Sequence, residues 1–410
     1  AGLSQLFASK FNDDKKTLAF SDNVQDAAHR AGFFNSRTWR FGLRGAMQKY
    51  VLSGGAGQNL KDFTNGFLKY WHDNMSDEEF VSFFIAPNMT WMYAYEDLVG
   101  KRKLGKDQRA QKLMLDVEKR LSYEIMLEYG LTGRIGRTLE KSGCSAIAFD
   151  SDEVHEVAFS VFERIQNELG TLKETGLDSF EQMVIGFLNI MRRNGAFDDQ
   201  AFSRYLYENG NGYFISNEWA RWMPGRQSGR NTPRFIAQQR IAGRRNYNFD
   251  SVSDRKYTDW IFSCCDDILV ESGTFSFISQ IILEELLKKN IIVSIPFSAE
   301  FSVYGLNKEK VFITSEVIQM KCDNCGSVYA VAAENLDFWQ QAPCARSVCF
   351  GMIEQDEGSS LDYYGKLFSS GDLSRINARE HTGLLERDNR EALEIDFKRN
   401  KDTLQVWDPN

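Results

Sequence analysis

The stretch KTLAFSDNVQDAAHRAGFF, residues 16–34, reads as strand, turn and helix. Thr17 to Phe20 is a short apolar run that follows the polar residues Asn12 to Lys16. Ser21, Asp22 and Asn23 supply oxygen acceptors for the free N–H groups of a helix start, so a helix is expected from Val24 to about Phe33. A strand feeding a capped helix is the elementary unit of a parallel α/β sheet. Residues 358–410 return to the same character: Asp362–Phe368 and Leu385–Lys398 look helical, while Ser374–His381 and Leu404–Trp407 look extended.

Between these two ends the pattern is mainly helical. Leu60–Trp71, Asp77–Leu98, Gln108–Tyr129, Asp152–Leu169 and Ser179–Arg193 all carry apolar residues at three- and four-residue spacing. Leu52–Gly57 reads as a loop, and Asp77-Glu78-Glu79 as an acidic helix start. Two further helices, Tyr257–Leu269 and Thr274–Lys289, run into strand-like Asn290–Ile295 and Glu300–Val303. Helix, helix, hairpin is the order of a winged helix, an order that many small α+β units share. The expected fold is therefore α/β plus mainly α. It is a partial RecA-like parallel sheet, interrupted by a large helical insertion with a winged-helix-like unit and a four-cysteine zinc module. The expected boundaries are 1–40 (sheet), 41–215 (helical insertion), 216–318 (Arg-rich stretch and winged-helix-like unit), 319–357 (zinc module) and 358–410 (return to the sheet).

The cysteines carry the most specific local signal. Cys322 and Cys325 form a Cys-x2-Cys knuckle followed by Gly326, and Cys344 and Cys349 form a second pair followed by Phe350 and Gly351. Four thiolates suit tetrahedral Zn²⁺ and leave no open position for a catalytic water. Two disulfides or two pairs of buried thiols are the competing reading. The chain has no secretory signal pattern, which places it in the cytosol and favours metal. Gly326 and Gly351 are expected to accommodate the backbone after each knuckle.

Residues 220–248 contain Arg221, Arg226, Arg230, Arg234, Arg240, Arg244 and Arg245 without an acidic residue, interleaved with Trp222, Phe235 and Tyr247. Such a surface attracts phosphates, and its aromatics can stack on unpaired bases. Equally, these arginines can pair with some of the 57 acidic residues of the 410-residue chain. The net charge of −8 does not advertise a nucleic-acid binder, although a local basic surface can sit on an acidic chain. With 42% hydrophobic residues the composition is that of a globular protein, and no apolar run is long enough to span a bilayer. No phosphate-binding loop, acidic Asp-Glu box or Ser/His/Asp constellation is present, and Gly130–Arg137 reads as a helix-to-loop junction.

Residues 16–34 resemble the fourth motif of large superfamily 2 DEAD/DEAH-box-like helicases, many of them from bacterial anti-phage defence systems of Druantia and DISARM type. The family pattern is a strand, then F-[ST]-D-N-R-Q-D-A-A, then a helix; this chain departs at Val24, where the family carries Arg. Ala378–Arg387, with Arg390, Glu394 and Phe397, resembles a second segment of the same lobe, which in the family leads into the fifth motif. Family members also carry an insertion with a four-cysteine zinc module between these motifs. The resemblance implies that the chain is a piece of the second RecA-like lobe of an ATP-dependent DNA helicase. ATP and Mg²⁺ would then serve only the complete parent protein, and this piece alone would be inactive. It implies that Asp22, Asn23, Gln25, His381, Thr382 and Gly383 lie near the nucleic-acid-facing edge. The implied partners are DNA, the rest of the helicase polypeptide and defence-system proteins, with no membrane. The alternatives are a protein-docking module with structural zinc, or a free-standing winged-helix/zinc DNA-binding regulator.

Overall fold

The computed structural model describes residues 24–131, 138–168, 172, 174–207, 222, 233–238, 249–265, 272–298, 301–346, 349–356, 358, 361–370 and 386–398. Helix α1 (Val24–Tyr50) runs well past the end expected near Phe33. It continues because its second half buries one stripe, Trp39, Leu43, Ala46, Met47 and Tyr50, at three- and four-residue spacing. The Trp39 indole N–H also donates to the Phe84 carbonyl at 3.0 Å. The expected loop begins as a π-turn, Val51–Gly55, in which Gly54 takes a φ of +118° that a side chain resists.

Next come α2 (Leu60–Asn74), α3 (Asp77–Phe84), α4 (Tyr93–Lys101) and α5 (Gln108–Tyr129). Side chains set their starts. Asn59 accepts from the Asp62 N–H, Asp107 accepts from the Ala110 N–H, and Ser76 and Glu79 form a reciprocal capping box. The helix expected over Asp77–Leu98 is divided in two, because Pro87 opens a separate turn at Pro87–Met89. Phe63, Phe67, Trp71, Phe80 and Phe84 fill the space between these helices, with Phe67 and Phe84 edge to face at 5.8 Å.

The second half is built from β1 (Ala146–Ala148), α6 (Ser151–Glu168), α7 (Leu177–Arg193), α8 (Gln200–Tyr207), β2 (Phe235–Ala237), β3 (Phe249–Ser251), α9 (Arg255–Cys264) and α10 (Ser272–Lys288). Helices α6, α7, α9 and α10 pack on one another as a layer. Gly186 on α7 makes the closest approach: a Cβ there would lie 2.0 Å from the Trp260 ring on α9. The Trp260 indole N–H donates to the Gln182 carbonyl at 3.1 Å, which fixes the ring over that glycine.

Strands β4 (Ile292–Ser298) and β5 (Phe301–Leu306) form the antiparallel hairpin expected after two helices. The hairpin belongs to a larger mixed sheet of order β3-β2-β5-β4, in which β2 is antiparallel to β5 and parallel to β3. Strand β6 (Phe312–Thr314) pairs with β1, and just before it the Val311 carbonyl accepts from the Leu60 N–H at the start of α2 at 2.7 Å. A three-stranded antiparallel sheet follows from β7 (Val317–Cys322), β8 (Val328–Ala332) and, after the short helix α11 (Leu336–Trp339), β9 (Ile353–Gln355). The chain then gives α12 (Tyr363–Ser369) and α13 (Arg387–Lys398).

The first helix meets the one that follows the cysteine-bearing sheet: α12 packs on α1, with the Phe41 and Phe368 rings 4.8 Å apart. Cys144 closes the same junction through a contact of its thiol with the Gly365 carbonyl at 3.6 Å, and burial pushes that thiol up to about 12, so it stays neutral. The strands expected at Thr17–Phe20, Ser374–His381 and Leu404–Trp407 lie outside the described residues. No helix among the described residues is long and apolar enough to cross a membrane.

Candidate metal centre

The β7–β8 turn carries the first knuckle. The Gly326 N–H donates to the Cys322 carbonyl at 3.0 Å, and Gly326 itself takes a φ of +67°, the left-handed conformation that closes the turn. The second pair lies on the way into β9, where the Cys344 N–H donates to the Gly351 carbonyl at 2.9 Å and the Cys349 N–H to the Arg346 carbonyl at 3.1 Å. The two knuckles are stitched together at Asp323. Its N–H donates to the Met352 carbonyl at 3.0 Å, and its carboxylate accepts from the Met352 N–H at 2.9 Å.

This folding gathers the sulfurs of Cys322, Cys325, Cys344 and Cys349 within 4.8 Å of one another. Cys322 to Cys349 and Cys325 to Cys344 each measure 3.7 Å. A regular tetrahedron with zinc–sulfur bonds of about 2.3 Å has sulfur–sulfur edges of about 3.8 Å. A disulfide needs about 2.05 Å, so neither pair is bonded. The cluster therefore fits zinc by donor type, number and spacing. With four sulfurs around it, an ion there would have no open position. Cys322 and Cys344 are buried, while Cys325 and Cys349 are half-buried towards solvent.

The surroundings treat the thiols differently. The Ser327 hydroxyl and N–H beside Cys325 pull its thiol down to about 6, and the hydroxyl oxygen lies 3.1 Å from the sulfur. Burial pushes Cys344 up to about 12, opposed by the Tyr329 hydroxyl 3.0 Å from its sulfur. Ser327 and Tyr329 were not legible in the cysteine spacing; Ser327 immediately precedes β8 and Tyr329 is its second residue.

Gly351 serves differently from Gly326. A Cβ at Gly351 would lie 2.5 Å from the Asn324 Cβ and 2.6 Å from the Cys322 sulfur, so the second knuckle passes directly over the first.

Of the residues expected to contact nucleic acid, Asp22, Asn23, Arg221, Arg226, Arg230, Arg240, Arg244, Arg245, His381, Thr382 and Gly383 lie outside the described residues. Gln25 lies in the first turn of α1, with its side chain outside that set. Arg234 is described, and it is engaged. Its guanidinium donates twice to the Asp250 carboxylate, at 2.9 and 2.6 Å, and once to the Phe249 carbonyl. Lys256 also pairs with Asp250. Arg234 thus fastens β2 to β3. The sequence also carries a second basic run, Lys101–Lys112, which is largely exposed and whose Arg109 guanidinium lies 5.9 Å from the Tyr93 ring centroid.

Comparison with family models, curated proteins and solved structures finds no match to this chain.

Proposed function

We propose that this chain is part of an ATP-dependent superfamily 2 DNA helicase or translocase of the anti-phage defence type. In this reading α1 and α12 belong to its second RecA-like lobe, and the residues between them form an insertion that contacts DNA. The observation that carries the reading is the junction of α1 and α12. Helix α1 follows the Phe20–Asn23 motif segment in sequence and α12 precedes the His381–Gly383 segment; the two helices, far apart in the chain, pack with the Phe41 and Phe368 rings 4.8 Å apart. A lobe interrupted by an insertion requires such a junction. The α9, α10, β4–β5 succession supports a winged-helix-like element within the insertion. The four-cysteine cluster supports a structural zinc that holds the β7–β9 sheet together. ATP and Mg²⁺ would be bound by the rest of the parent protein, and the chain by itself is expected to show no ATPase activity.

The test is a titration of the purified chain, with its zinc quantified, against single- and double-stranded oligonucleotides at low and moderate salt. The expected result is micromolar or tighter binding that weakens steeply with salt. Absence of binding at low salt, with about one zinc per chain showing a folded module, overturns DNA contact. It would favour the protein-docking reading, which has its own support in the apolar rim of the zinc module: Phe350, Val328 and Met352 are all exposed, Phe350 at 88%.

A further inference from the structure

Residues 101–112, KRKLGKDQRAQK, hold six cationic side chains and a single acidic one. That acid, Asp107, is spent on the start of α5, where it accepts from the Ala110 N–H at 3.1 Å. Lys101 pairs with Asp97. Lys103, Lys106 and Lys112 are exposed and have no carboxylate partner among the described residues. The segment is firmly held while its charges point outward. Leu104 packs against the core, its N–H donates to the Glu78 carboxylate at 3.1 Å, and Arg102 turns the chain in the left-handed conformation at φ 54°.

Two large aromatic rings two positions apart in the chain stand exposed on either side of the buried Met92, Trp91 at 54% and Tyr93 at 68%. The Trp91 indole N–H donates to the Asn88 carbonyl at 2.9 Å, which fixes the ring instead of leaving it to swing. The Arg109 guanidinium lies 5.9 Å from the Tyr93 ring centroid and ties that ring to the basic run.

We infer that this surface, formed by Trp91, Tyr93, Lys103, Lys106, Arg109 and Lys112, binds single-stranded DNA, the bases stacking on the two rings and the phosphates lying on the cations. Cations alone would suit any polyanion. Ring faces add affinity only for a partner with unpaired bases, because a duplex keeps its bases inside the stack and an acidic peptide has none to offer. The inference rests on the reading of the chain as DNA-handling. It names a surface apart from the arginines of residues 221–245, and the strand form that the surface takes.

The experiment uses the full chain and a fluorescein-labelled oligothymidine of about 20 nucleotides, followed by anisotropy over a salt series, with a duplex of equal length and polyglutamate as competitors. Three variants are compared at equal zinc content and equal circular dichroism: Lys103→Glu with Lys106→Glu, Trp91→Ala with Tyr93→Ala, and Arg226→Glu with Arg230→Glu. The lysine reversal is expected to weaken single-strand binding at least tenfold. It should also lower the slope of log K against log salt by about 0.7 for each phosphate that is no longer neutralised. The aromatic variant is expected to weaken single-strand binding by roughly tenfold and to leave duplex binding within twofold of the parent chain. If the aromatic variant binds oligothymidine as the parent does, or polyglutamate competes equally well, the single-strand assignment is overturned. If only the Arg226/Arg230 variant loses binding, this surface is overturned while the DNA-handling reading stands. If the parent chain binds no DNA, both fall.

Discussion

A methyl group decides whether the second knuckle can lie on the first. At Gly351 the space a Cβ would need is already held by Asn324, Asp323 and the Cys322 sulfur. Gly351→Ala is expected to push the knuckles apart and destabilise the metal-bound module by about 1–3 kcal/mol. Competition with a zinc chelator would show this as weaker retention, whereas Gly358→Ala, whose added carbon would meet only Asp356 at 3.5 Å, should leave retention unchanged. Asp250 gives a second prediction. Burial alone would raise its carboxyl, yet the Arg234 hydrogen bonds and the Lys256 charge outweigh that and hold it below the usual carboxylate range. A carboxyl depressed in the folded state adds stability above its unfolded value, and that stability is lost as pH falls through the folded value. Acid unfolding followed by tryptophan fluorescence should therefore have a less steep acid limb in Asp250→Asn, and the variant should be less stable near neutral pH. The cysteine set was legible because ligand spacing is local in sequence. Tyr329, Ser327 and the Arg234–Asp250 pair were not, since nothing in a sequence says which hydroxyl or carboxylate a fold will bring alongside.

Helices were legible wherever burial imposes a period. Gln108–Tyr129 matches its expected limits because one face is apolar throughout and Asp107 caps its start. Helix α1 outran its expected end because Trp39 finds Phe84 on α3 and Arg120 on α5, and Leu43 and Met47 are buried near Leu127 of α5, a tertiary effect. Strands β2 and β3 leave no trace in the sequence pattern. Each is three residues long, too short to show alternation, and they pair across a gap filled with arginines. At the α7–α9 crossing, Gly186→Ala should drive the helices apart and lower stability by about 1–3 kcal/mol, which urea unfolding would show. Arg192 anchors the C-terminal end of α7: its guanidinium donates to both Glu140 oxygens and to the Tyr129 carbonyl at 2.9 Å. Arg192→Met strands the Glu140 carboxylate and leaves the Tyr129 carbonyl without its donor. A loss of about 3–5 kcal/mol is expected, seen as a lower midpoint in thermal melting.

For the molecule as a whole, the strands β7–β9 have few large buried side chains of their own, and Val317, Met320, Val331 and Ile353 cannot make a core by themselves. Removing the metal with a chelator is expected to release hydrogen-exchange protection over residues 317–356 while the α6–α7–α9–α10 layer keeps its own. Rebinding should strengthen as pH rises, because Cys344 must give up a proton to become a ligand. The wider architecture was legible as helices framed by two α/β ends. The mixed sheet was not, since its order joins strands far apart in the chain.

The Phe41–Phe368 contact has a mechanical meaning. Tension applied between residues 24 and 370 enters at α1 and leaves at α12, which lie side by side. The load falls on this one helix pair first, and everything between Tyr50 and Tyr363 is shielded until that pair separates. A protein stretched between those points should therefore hold its compactness and then lengthen in one large step, with the force of that step set by the Phe41–Phe368 pair and the few contacts around it.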